Sequence, residues 1–171
     1  MKSTLILIIF IFVNSSLFAQ EIGFMGLNIG MSREEVLNFA DADELIKVPK
    51  NRDVEFFPVE DRKILTLSVL PEVPHLYLQF YDDKLYAITV NFNEKYIDYY
   101  TLFDVLESKY GPYTYLVPEW RKWEIDGIEI RVEKPAVVKY IALDEFIEAA
   151  GFQDQGGLPG SERRNKILDG L

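Results

Sequence analysis

Apolar and polar residues alternate over much of the chain. Where that alternation gives way to spacings of three and four, helices are predicted. The clearest alternating run is HLYLQFYDDKLYAITVNF, residues 75–92. Leu76, Leu78 and Phe80 interleave with Tyr77, Gln79 and Tyr81, Asp82-Asp83 turns the chain, and Leu85, Ile88, Val90 and Phe92 continue a second strand. This pattern predicts a hairpin with one buried face. Further strands are predicted at Glu44–Val48, Val54–Val59, Ile64–Leu70, Tyr113–Val117, Trp120–Ile125, Ile128–Glu133 and Val137–Leu143, after an extended lead-in over Gln20–Gly30. Asp126-Gly127 between two such runs is a strong hairpin signal. Pro49, Pro58, Pro71 and Pro74 keep some of these strands from central places in a sheet.

Helical spacing appears twice. Ser32 and Glu35 form a capping-box pair, flanked by Met31 and Val36 as a hydrophobic staple. They predict a helix over about 33–42 that buries Val36, Leu37 and Ala40, with Phe39 at the edge. Leu102, Val105, Leu106 and Tyr110 form one apolar stripe of a second helix, from Ile97 to Tyr110, stopped by Gly111-Pro112. A short helix is expected over Asp144–Ala150. The expected fold class is α+β, with helices packed on an antiparallel sheet. Each long helix precedes a strand hairpin, which raises the possibility of two tandem helix-plus-sheet units, about 20–93 and 94–152.

The ends read differently. MKSTLILIIFIFVNSSLFA, residues 1–19, has a basic start, an apolar run from Leu5 to Val13, and a small residue at Ala19. This is the layout of a secretory signal peptide, too short for a spanning helix. A periplasmic or secreted product is expected after cleavage near Ala19, with no integral membrane segment in the mature chain. Residues 153–171 are polar and Gly/Pro-rich, and a disordered tail is expected there.

Charge narrows the function classes. The formal net charge is −10, with 28 acidic and 18 basic residues. Phosphate binding needs clustered cations, so neither a nucleic-acid partner nor docking on anionic lipid is expected. The absence of Cys removes disulfides, thiol nucleophiles and thiolate metal sites. His75 is the only histidine and reads as a strand-edge residue, or as a general base if a carboxylate pairs with it. Asp41, Asp43 and Glu44 lack the Gly and distal Glu of a calcium loop. Ser32, Ser68, Ser108 and Ser161 lie in no nucleophile elbow, and no phosphate-cradling loop occurs. No catalytic residue, metal ligand or cofactor is therefore assigned.

Aromatic residues are the remaining candidates. Tyr96, Tyr99, Tyr100, Tyr110, Tyr113, Tyr115, Trp120 and Trp123 fall close together. They read either as a core seam or as contact area for a partner, because Tyr and Trp combine rigid apolar surface with a polar tip. Alternation places Trp120 and Trp123 on opposite faces of one strand. Tyr113, Tyr115 and Trp120 are the candidate binding residues.

Gly30-Met31-Ser32-Arg33-Glu34-Glu35-Val36 resembles the helix opening of SmpA/OmlA (BamE-like) envelope modules. Lys109-Tyr110-Gly111-Pro112 resembles their closing turn, and Asp82-Asp83-Lys84-Leu85 their hairpin turn. The tandem fold of the β-lactamase inhibitor protein is similar. The family's lipid-bearing Cys is absent here, so the resemblance implies no lipid anchor. It does imply a protein–protein adaptor rather than an enzyme. The expected function is an exported, non-enzymatic module for protein binding or envelope assembly, with another envelope protein as partner. The alternatives are a periplasmic carrier of a small apolar ligand or glycan, and a carboxylate-based hydrolase.

Overall fold

The computed structural model describes residues 21–48 and 62–150. The expected leader, the Val54–Val59 strand and the tail lie outside the described residues. A small two-stranded ribbon, β1 (Gly23–Phe24) and β2 (Leu27–Asn28), leads into α1 (Arg33–Ala42). Then follow β3 (Arg62–Val69), β4 (Val73–Tyr81), β5 (Lys84–Asn91), α2 (Tyr99–Tyr110), β6 (Tyr115–Val117), β7 (Trp120–Ile125), β8 (Ile128–Glu133), β9 (Val137–Ala142) and α3 (Leu143–Ala149).

The seven longer-range strands form one antiparallel sheet in the order β3-β4-β5-β9-β8-β7-β6. Two meanders, β3–β5 and β6–β9, meet where Ala87–Asn91 pairs with Val137–Ile141. This overturns the expectation of an α+β fold built of helices packed on a sheet. The fold is sheet-dominated, with three helices of 10, 12 and 7 residues. The reason lies in how the apolar positions are shared. Strand residues supply most of the core, including Leu65, Leu76, Leu78, Ile88, Ile130 and Val138, whereas α1 buries only Val36 and Ala40. Backbone pairing across β5–β9 fuses both halves into one ladder, so neither half closes a sheet of its own.

Local chemistry sets the element ends. Ser32 and Glu35 make the expected capping box: the Ser32 amide donates to the Glu35 carboxylate at 2.8 Å, and the Glu35 amide donates to the Ser32 hydroxyl at 3.3 Å. α2 starts two residues later than predicted, because the Asp98 carboxylate accepts from the Thr101 amide at 2.8 Å and caps it. Its inward stripe is Tyr99, Leu102 and Leu106, and Val105 faces solvent. The predicted Glu44–Val48 strand is instead a loop with one bridge, Lys47 to Ser68. The Asp43 carboxylate accepts there from the amides of Leu45 and Ile46, a local alternative to ladder pairing. Three tight turns have positive φ at both central residues, as twisted hairpins require: Met25-Gly26, Asp82-Asp83 and Asp126-Gly127. At Gly26 a side chain would also strike the Phe39 ring of α1, 2.4 Å from the built Cβ position.

No helix among the described residues is long and apolar enough to cross a membrane.

Candidate functional site

One face of the sheet carries the core. On the other, register aligns side chains into rows. One row runs Tyr77, Thr89, Lys139, Arg131, Lys122, Tyr115, from β4 to β6. A neighbouring row runs His75, Asn91, Val137, Glu133, Trp120, Val117. On the opposite flank Glu129 and Glu124 pair across β8 and β7. The cations Lys139, Arg131 and Lys122 thus lie between Glu133 on one side and Glu129 and Glu124 on the other. α3 touches this sheet at β5 and β9, where Ala149 packs with Tyr86, Ala87 and Ala142.

The charges on this face are matched. Lys122 Nζ reaches Glu129 at 3.1 Å and Glu124 at 3.6 Å. Arg131 pairs with Glu129 and, at 3.3 Å, with Glu133. Lys139 Nζ donates to both Glu133 oxygens, at 2.9 and 2.8 Å. Glu129 is only 5% exposed, so its carboxylate depends on these two cations for solvation. The hydrogen bond to Glu129 raises the Lys122 ammonium pKa above its ordinary value, against a smaller desolvation effect.

An aromatic pair stands at the β6–β7 end of the same face. Tyr115 and Trp120 rings lie 5.4 Å apart, and the Arg131 guanidinium sits 4.6 Å over the Trp120 ring. Tyr115 is 52% exposed. The structure therefore brings together two of the three candidate binding residues.

Tyr113 goes elsewhere. Thr114 donates its amide to the Lys122 carbonyl at 2.8 Å, although Tyr115 is the residue paired with Lys122. That extra residue re-aims the chain. The Tyr113 ring, 40% exposed, meets Phe103 of α2 at 6.2 Å and the Arg121 guanidinium at 5.9 Å, on the helix side of β7. Trp123 is on that side too. It is 1% exposed, stacks on Phe103 at 6.3 Å, and donates its indole N–H to the Gly111 carbonyl at 2.7 Å. The two tryptophans thus occupy opposite faces.

The other sequence candidates are dispersed. His75 is exposed and stacks on Tyr77 at 5.8 Å. Asp82 and Asp83 form a turn, and Asp43 holds a loop. Among the described residues, no group of three or more His, Asp or Glu is arranged to hold a metal ion. Sequence reasoning missed the Lys122–Glu129–Arg131–Glu133–Lys139 ladder. The signal was available: once Asp126-Gly127 is taken as a two-residue turn, Ile125 pairs with Ile128, and alternation then puts Trp120, Lys122, Glu124, Glu129, Arg131 and Glu133 on one face.

A family model, the TP0088 domain, matches residues 22–151. No curated protein and no solved structure matches the chain. The chain belongs to the TP0088 domain family.

Proposed function

We propose that this member of the TP0088 domain family is an exported, non-enzymatic module that binds another envelope protein through the Tyr115–Trp120 end of its second sheet face. One observation carries the reading: the Trp120 ring is already positioned by Tyr115 at 5.4 Å and by Arg131 at 4.6 Å, on a face of β6–β8 that presents no apolar core. Rings fixed in advance lose little conformational entropy on docking. The neighbouring charges are paired among themselves, so a partner covering them would strand no lone ion. Export rests on the leader-like residues 1–19, and the adaptor role accords with the SmpA/OmlA-like residues around Ser32.

The test is a cross-linked pull-down from the native envelope, comparing wild type with Tyr115→Ala/Trp120→Ala. Recovery of one defined partner should fall at least about tenfold while the thermal melt is retained, as expected for a central aromatic anchor. Unchanged recovery would remove the reading. Retention of a glycan or small apolar molecule in native mass spectrometry, lost in the same variant, would replace it with the carrier alternative.

A further inference from the structure

The helix side of the same strands holds a cation with no counter-ion among the described residues. Arg121 of β7 points away from Trp120, and its guanidinium lies 4.2 Å from the Phe103 ring, 5.4 Å from Tyr99 and 5.9 Å from Tyr113. One Nη donates to the Tyr99 hydroxyl, and Nε is buried with no hydrogen-bond partner. No carboxylate among the described residues lies within ion-pair distance of it. Acids are not scarce in this chain: they outnumber bases by 28 to 18, and each ladder cation on the opposite face has found one. A second cation approaches the same place, with Lys134 Nζ 5.5 Å from the Tyr99 ring. Aromatic faces compensate a guanidinium's charge in part, about 0.5–2 kcal/mol, but accept none of its five N–H donors in the plane of the fork.

We propose that Arg121 and Lys134, framed by Tyr99, Phe103 and Tyr113, form a docking point for a carboxylate. The shared chemistry is a planar oxyanion, borne either by an acidic segment of a partner or by a small free acid. Arg is suited to it because its fork matches the two oxygens. The inference is independent of the function proposed above, which uses the other face.

The test follows the Arg121 Nε–Hε resonance of the full chain during titration with sodium acetate, a tetraglutamate peptide, or sodium chloride at matched ionic strength. A saturable shift with a carboxylate and none with chloride is expected. Tighter binding of the peptide identifies a partner segment as the source, and tighter binding of acetate a free acid. Arg121→Lys should weaken binding about tenfold or more, since the fork is lost. Lys134→Gln, at an exposed position, should weaken it about threefold with an unchanged melting temperature. Shifts equal in chloride, no saturation, or a folded Lys134→Gln variant that binds like wild type would each overturn the proposal. If Arg121→Lys fails to fold, the wild-type and Lys134→Gln titrations still decide.

Discussion

Lys122 and Glu129 meet at 3.1 Å although they are not strand partners: Lys122 stands opposite Arg131, and Glu129 opposite Glu124. Directly paired residues on this hairpin carry like charges, a destabilising arrangement if left alone. The diagonal contacts resolve it. Lys122 lies between two carboxylates and Glu129 between two cations.

Glu129→Ala should therefore cost about 2–3 kcal/mol in urea unfolding, because it leaves Lys122 and Arg131 facing each other without their shared, nearly buried acid. Lys122 adds an alkaline dependence. Its folded pKa lies above the ordinary 10.5, so its contribution is complete below that value and fades as pH rises through the raised one. Lys122→Met should show a shallower alkaline loss of stability than wild type. Parallel alkaline limbs for the two proteins would contradict the pairing.

The two tryptophans should separate in denaturation experiments. Trp123→Ala opens the core beside Phe103 and leaves the Gly111 carbonyl without its indole donor, at a cost of about 3–5 kcal/mol. Trp120→Ala removes a partly exposed ring and should cost about 1 kcal/mol or less. Equal losses would show that the two rings do not divide between core and surface.

Acid should act through the helix caps. Hydrogen bonds from the Ser32 backbone and side chain hold the Glu35 carboxyl below its ordinary range, and those from Thr101 do the same for Asp98. A depressed carboxylate stabilises the fold above its unfolded pKa, and that stabilisation disappears as pH falls through the folded value. Thermal melts of Glu35→Gln/Asp98→Asn should vary less with pH than wild-type melts below the ordinary glutamate value of 4.5. An undiminished acid dependence would place the titrating groups elsewhere. Ser32→Ala should lower stability by about 1 kcal/mol at neutral pH.

The local rules carried far along this chain. The Ser32–Glu35 box, the Asp82-Asp83 and Asp126-Gly127 turns and the Leu76/Leu78/Phe80 alternation all appear where spacing placed them. Long-range pairing was not legible. Nothing in the pattern of β9 says that it joins β5 rather than ending a separate unit, because Val137, Val138 and Ile141 would suit any apolar neighbour. The candidate site was legible in part for the same reason. Tyr115 and Trp120 share a face through hairpin register, but the extra residue at Thr114 that sends Tyr113 to α2 leaves no mark in alternation.

The seam between Val90 and Val138 joins an early strand of the chain to a late one. A strand synthesised near the end of the described fold occupies the middle of the finished sheet. Until it arrives, the first meander has an unpaired row of backbone N–H and C=O groups along β5. A chain truncated before residue 137 would leave that edge permanently open to pairing with other strands.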